Sequence, residues 1–322
     1  MRVFSSILAM VLSSYIGISS ATPQGNELTK GIILYNQLKF DSAVPELEKE
    51  AKSGNVESQY YLGEVLRKRN RYMTLEAQHW YETAAMNDSI YAMIQLSRKN
   101  EDLCEIMENC PASGRTPAGW MAYARELTLT KANTGDAESL YLMYEITFDR
   151  TWLEKSANAG YALAQYWMAV GDRQGEGFFL MPGSRDASVR KWLLLASEGG
   201  NPKAMMEYLE ILFEAGEMAS VRHWLEVAAA TGEQAAMSNY GAYISHAPDK
   251  VGYPLDLVKG YAIFSLLKEL GDSGGVQDYV ERKIEKIAEN MTPEQIEESK
   301  KVAKDWKDTH PPISFFPEKL AR

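Results

Sequence analysis

Only two cysteines and four histidines occur in 322 residues. A structural zinc site needs about four such ligands at short spacing, and neither Cys104 and Cys110 nor the scattered histidines supply it, so no metal or other cofactor is expected. Positive charge is also scarce. Against 44 Asp and Glu stand 34 Lys and Arg, a formal charge of −10, which removes the phosphate-neutralising excess of a general nucleic-acid binder and favours a basic partner. Beyond the first 21 residues, no stretch approaches the roughly 18 uninterrupted apolar residues of a membrane crossing, so stable membrane insertion is not expected. Apolar content is ample at 45%, which excludes a disordered chain.

The first residues, MRVFSSILAMVLSSYIGISSA, pass from Arg2 through an apolar stretch to small residues at Ser19 and Ala21. This is the pattern of a cleaved secretory signal peptide over 1–21; left uncleaved, it would be an anchor helix. No cysteine follows the apolar stretch, so a lipid anchor is not expected and the mature chain reads as a soluble periplasmic protein. In an oxidising compartment Cys104 and Cys110 can close a local disulfide if a turn separates them, because residues six apart in one helix fall on different faces. A loop containing Cys110 and Pro111 is therefore predicted.

Internal repetition decides the architecture. The doublets Glu46-Leu47, Trp80-Tyr81, Leu127-Thr128, Trp152-Leu153, Trp192-Leu193, Trp224-Leu225 and Ile263-Phe264 are each followed, eight residues after the first member, by Gly54, Asp88, Gly135, Gly160, Gly200, Gly232 and Gly271. Small residues recur at offset five (Ala51, Ala85, Ala132, Ala157, Ser197, Ala229; Lys268 in the last unit) and at offset twelve (Ser58, Ala92, Ser139, Ala164, Ala204, Ala236, Gly275). Each unit thus reads as a helix closed by a left-handed glycine, followed at once by a second helix whose small residue allows close approach. The tryptophans are expected in the core. One such pair cannot bury its apolar faces alone, so about seven units must stack into an all-α solenoid with a concave side.

The segments EAQHWYETAA (76–85), TWLEKSANAGYALAQYWM (151–168) and VKGYAIFSLLKELGDSGG (258–275) resemble the Sel-one-like repeat family, relatives of the tetratricopeptide solenoids. That resemblance covers about 30–306 and implies a right-handed superhelix that binds proteins. It includes MTPEQIEESKKVAKDW (291–306) as a terminal helix and leaves 307–322 as a tail. Two departures, at 100–119 and 171–186, read as loop insertions, which on solenoids often sit on a binding face. The family also implies that the second helix of each unit lines the concave surface. This places Tyr60, Tyr141 and Tyr166 there, with Tyr240 at a phase that also suits core, and helix phase adds Glu64 and Glu145.

No catalytic constellation accompanies these features. His79 and His223 each precede an anchor tryptophan, and His246 and His310 lie beside prolines. Ser188 with Lys191 and Ser265 with Lys268 match SxxK without the further motifs of a penicillin-recognising enzyme. Glu207, Glu210 and Glu214 lie along one helical face, a solvated acidic stripe or a site for a basic partner. Phe178 and Phe179, Tyr253, and Phe315 with Phe316 fall outside the repeat pattern. They are candidate interface anchors, the tail pair serving equally well to cap the solenoid. The expected partner surface therefore comprises Tyr60, Glu64, Tyr141, Glu145, Tyr166, Phe178, Phe179, Glu207, Glu210, Glu214, Tyr240 and Tyr253. The expected function is non-enzymatic: a chain monomeric when free that binds a protein, foremost an immunity protein occluding a basic or lipase-type antibacterial effector such as a type VI secretion phospholipase. An envelope scaffold or regulator is the alternative, and a cell-wall or beta-lactam hydrolase a distant one.

Overall fold

The computed structural model describes residues 28–98 and 102–320; the signal peptide expected over 1–21 lies outside them. Among the described residues there are seventeen α-helices and no strand longer than an isolated bridge. After α1 (Lys30–Asn36), seven helix pairs follow: α2/α3 (Phe40–Lys52, Val56–Asn70), α4/α5 (Leu75–Met86, Ile90–Ser97), α7/α8 (Pro117–Ala132, Ala137–Thr147), α9/α10 (Arg150–Asn158, Ala162–Arg173), α11/α12 (Ser184–Glu198, Pro202–Glu214), α13/α14 (Met218–Ala230, Gln234–Ile244) and α15/α16 (Leu257–Lys268, Gln277–Ala288). The short α6 (Leu103–Ile106) interrupts them, and α17 (Pro293–Thr309) packs back on α15. Each pair is one of the sequence repeats, so the chain is an all-α helical repeat solenoid.

Why the units fold as they do is visible at their turns. All six repeat glycines have φ between 62° and 93°, and Asp88 takes φ 63° where its unit lacks the glycine. Aspartate is among the few non-glycine residues that tolerate this region. The next residue then caps the second helix. The side chains of Asn55, Ser89, Asp136, Asn201 and Glu233 accept a hydrogen bond from the backbone N–H three residues on, satisfying a donor the helix start leaves open. That donor belongs to the small residue at offset twelve, which is buried in six units. The seventh departs: a 3₁₀ turn at Ser273–Gly275 replaces the direct entry, and Gly275 and Lys268 are exposed.

The core differs from the expectation in one respect. The second member of each doublet is interior in every unit: Leu47, Tyr81, Thr128, Leu153, Leu193, Leu225 and Phe264 are all buried, whereas of the four anchor tryptophans Trp80 and Trp192 are buried as expected and Trp152 and Trp224 only partly so. The buried residues form two clusters, one spanning α1 to α8 and the other α8 to α16.

Helices enter both insertions, the first from its C-terminal side and the second from both sides. The first holds α6, and α7 already starts at Pro117; Cys104 on α6 is disulfide-bonded to Cys110 in the loop that follows. Asp102 caps α6 and accepts from the Met73 N–H at 2.7 Å, while Ser113 donates to Glu82 at 2.6 Å, so this segment is pinned on the α4 unit. The second insertion is reduced to 174–183 between α10 and α11.

Leu193 is fully buried, so Leu193→Ala should cost about 2–5 kcal/mol through lost transfer energy plus a cavity. Gly200→Ala, which forces a side chain into the left-handed turn at φ 84°, should cost about 1–2 kcal/mol. Urea titration followed by circular dichroism measures both; a loss below about 1 kcal/mol for Leu193→Ala would show that the anchor is not a core residue.

Candidate partner-binding surface

Most of the tyrosines and glutamates expected on the concave face are interior residues, a correction to the sequence reading. Glu64 on α3 is fully buried. Its Oε1 accepts from Tyr81 Oη at 2.7 Å and Gln95 Nε2 at 2.7 Å and lies 3.3 Å from Tyr60 Oη, and its Oε2 accepts from Tyr35 Oη and lies 3.5 Å from Lys68 Nζ. A buried carboxylate is tolerable only with such a complement of donors. Glu145, the equivalent residue on α8, is buried too, taking Tyr141 Oη at 2.9 Å and Arg98 Nη2 at 3.0 Å. Tyr240 and Tyr253 are buried with ring centroids 5.6 Å apart. Lys259 Nζ donates to Tyr240 Oη, and Tyr253 Oη donates to the Arg222 carbonyl. Glu64, Tyr141, Glu145, Tyr240 and Tyr253 spend their polar atoms holding the fold together, whereas the Tyr60 hydroxyl also meets the Lys319 carbonyl of the chain's own tail.

Burial drives the phenols of this layer upward. Loss of solvent, reinforced by nearby carboxylates, raises Tyr35, Tyr60, Tyr61, Tyr81, Tyr91 and Tyr141 well above the usual tyrosine range, and Tyr161 to about 12. Their hydroxyls therefore stay protonated, and those of Tyr35, Tyr60, Tyr81, Tyr91 and Tyr141 donate.

Sequence reasoning missed what covers part of this face. After α17 the chain runs back in extended form. Ser314 N–H donates to the Gly232 carbonyl at 2.9 Å, and Gln234 N–H donates to the Ser314 carbonyl at 3.1 Å. The Phe315 N–H donates to the Asn36 carbonyl at 2.9 Å, and Lys39 Nζ donates to the Glu269 carbonyl at 2.7 Å. The first helix thereby meets the seventh unit, and the two ends of the array touch. Tyr60 Oη donates to the Lys319 carbonyl, and the charge of Glu318 contributes to the raised phenols of Tyr141 and Tyr166. The tail therefore follows the expected tyrosine row. Phe315, expected as an interface anchor or a cap, packs inward with its ring against Gly274.

The acidic stripe is locally compensated. Tyr166 Oη donates to Glu207 Oε1 at 2.8 Å, and Arg173 pairs with Glu207 Oε2 at 2.6 Å. Glu210 and Glu214 are exposed, on a depression of about 620 Å³ where Arg173, Arg185 and Arg190 face Asp186, Glu207, Glu210 and Glu214. Neither SxxK serine is poised for attack: Ser188 donates to Asp172 Oδ2, and Ser265 donates to the Tyr261 carbonyl in its own helix.

Besides Glu210 and Glu214, the 174–183 loop is an open part of the predicted surface. Its base is a tight ionic cluster. Arg150 reaches Asp172 at 2.6 Å and Glu176 at 2.5 Å, and Arg185 donates to the carbonyls of Asp172 and Glu176. Asp172 itself is buried. Gly175, Gly177 and Gly183, all with positive φ, turn the chain around this base. Phe179 folds back under the Arg185 guanidinium, 4.7 Å from its ring centroid, leaving Phe178, Leu180 and Met181 exposed by 85%, 81% and 72%. Leu180 and Met181 were not singled out by sequence, although FFLMPG is the longest apolar run of the insertion.

No protein-family model and no curated relative matches the chain. Among solved structures it is similar to a protective antigen of uropathogenic Escherichia coli strains displaying an SLR fold, at 15% identity and a TM-score of 0.47. That match covers 84% of this chain and 56% of the antigen, little more than half of its length. It is also similar to a Sel1 repeat protein from Oxalobacter formigenes, at 16% identity and a TM-score of 0.36 over 81% of this chain and 98% of that one.

The buried phenols set a test at high pH. An unfolded tyrosine loses its proton near pH 10, whereas these hold theirs to higher pH, so their contribution to stability is complete below about pH 10 and is lost as pH rises through the folded values. Cooperative unfolding between pH 10 and about 12, the value reached by Tyr161, should accompany the appearance of near-ultraviolet tyrosinate absorbance. Full ionisation near pH 10 with helicity intact would contradict the buried layer.

Proposed function

We propose that this chain is an exported protein-binding solenoid that neutralises a toxic antibacterial effector by covering it, in the manner of an immunity protein against a type VI secretion phospholipase, with the 174–183 loop as the primary contact. The observation that carries this reading is the exposure of Phe178, Leu180 and Met181 on a base fixed by the Arg150, Asp172 and Arg185 cluster. Monomeric proteins seldom leave neighbouring large apolar side chains in water without an interaction to use them. Because the base is rigid, docking loses little loop entropy, and each buried anchor contributes about 1–2 kcal/mol.

Compartment and charge support the same reading. The Cys104–Cys110 disulfide suits an oxidising environment, and among the described residues no helix is long and apolar enough to cross a membrane. The net charge of −10 would speed encounter with a basic effector. The arginines at the adjacent depression, paired with Glu207 and Glu217, would set orientation at the rim of the contact more than affinity.

The test is protection. Cells exporting the chain to the periplasm should survive a lipase effector delivered by a neighbouring strain. Phe178→Ala with Leu180→Ala and Met181→Ala should lose most of that protection, with affinity for the effector falling about 100-fold or more. No protection by the unaltered chain would remove the immunity reading. Full protection by the triple variant would remove the loop as its contact.

A further inference from the structure

The C-terminal segment 311–320 lies on the solenoid as a peptide ligand lies on a receptor. It contains no helix, and apart from the Phe316 N–H, which donates to Ser314 Oγ, the partners of its main chain lie on other elements: Ser314 exchanges two hydrogen bonds with the backbone at Gly232 and Gln234, Phe315 donates to Asn36, and the Lys319 carbonyl accepts from Tyr60. Backbone pairing of this kind accepts any extended chain, leaving selection to the side chains. Close approach is built into the receptor. A Cβ on Gly232 would stand 2.6 Å from the Pro312 carbonyl oxygen, whereas the equivalent glycines 54, 135, 160, 200 and 271 face nothing within 4 Å.

Selection falls at the end of the segment. The Lys319 ammonium pairs with Glu57 at 2.8 Å and stands 4.9 Å from the Tyr91 ring centroid and 5.8 Å from that of Tyr61. Around it lies an open depression of about 430 Å³, lined by Lys319 itself together with Glu57 and Asp88, so a basic side chain there meets carboxylates. The next residue, Leu320, is only 6% exposed and joins the apolar cluster of the first three units. One step before, Glu318 pairs with Lys203 at 2.7 Å.

Much of this hold is reversible. Both side chains of the Lys319–Glu57 pair keep 36% of their surface in water, where an ion pair contributes about 0–1 kcal/mol. Ordering each backbone residue of the strap costs about 1–2 kcal/mol. A segment with that balance opens far more readily than the helices beneath it.

We propose that the inner face of the solenoid is a binding site for an extended protein segment carrying a basic residue followed by an aliphatic one, and that residues 311–320 fill it in cis. A partner bearing such a segment displaces the strap, so the strap sets the threshold for its binding. This site is separate from the 174–183 loop and stands or falls without it.

The probe is a fluorescein-labelled peptide, PPISFFPEKL, followed by fluorescence polarisation against the full chain. Lys319→Glu with Leu320→Asp alters the strap and none of the helices, and should raise affinity for the peptide at least ten-fold over the unaltered chain by vacating the site. Adding Glu57→Lys should abolish that gain, and a peptide with glutamate at the lysine position should restore it. Equal affinity of the released and unaltered chains would overturn the proposal, as would indifference to Glu57→Lys. In the unaltered chain, saturating peptide should also speed hydrogen exchange at the Ser314 and Phe315 amides. Unchanged exchange with peptide bound would place the peptide elsewhere and overturn the proposal even if the double variant fails to fold.

Discussion

The structure depends on a constraint that no single unit can satisfy: a pair of short helices carries more apolar surface than it can cover by itself. Five of the seven units answer it in the same way. A left-handed residue ends the first helix, its neighbour caps the second, and the small side chain at the capped donor lets the two backbones close. The buried second residue of the doublet then fills the space between units. Asp88 and the Ser273–Gly275 turn show how far the solution stretches. One replaces the glycine at some conformational cost, and the other gives up the direct helix entry where the array is ending.

Stacking leaves two further problems, the end surfaces and the inner wall, and the C-terminal strap meets both. It brings α1 against the seventh unit through Asn36 and Phe315, and it lays Pro312 to Leu320 along the tyrosine-bearing helices. The inner wall is correspondingly polar in a particular way. Glu64 and Glu145 are each caged by a tyrosine four residues earlier and by donors from neighbouring units. Leaving a buried carboxylate short of one of these donors is costly, so the cages fix the relative position of adjacent units. On the two proposals made above, binding would be divided between a covered inner site and an exposed loop.

The repeat architecture was legible because its causes are local and recur: a glycine at offset eight and small residues at five and twelve stand in the sequence whatever the tertiary context. The Phe178 loop was legible for the opposite reason, as aromatics where no repeat requires them. Tyr60, Glu64, Tyr141 and Glu145 were assigned to the right helices but to the wrong environment. Helix phase shows which residues share a side and says nothing of what lies over it. The covering contact pairs Lys319 with Glu57, 262 residues apart, and no periodicity encodes such a pairing. A partial signal was present in PPISFFP, whose prolines forbid helix and favour an extended chain. The anchor position placed Trp80 and Trp192 in the core correctly and Trp152 and Trp224 only in part, because an anchor at the rim can keep one ring edge in water while its smaller neighbour fills the interior.

The central claim is that the chain's own end lies on the inner face and brings the first repeat to the last. Zero-length carbodiimide cross-linking of the folded monomer, followed by peptide mass spectrometry, tests it directly, since only carboxylates and amines already in contact are joined. Isopeptide bonds between Lys319 and Glu57 and between Lys203 and Glu318, pairs at 2.8 Å and 2.7 Å, are the expected result. Recovery of the within-helix link between Lys52 and Glu48 without either strap link would contradict the account.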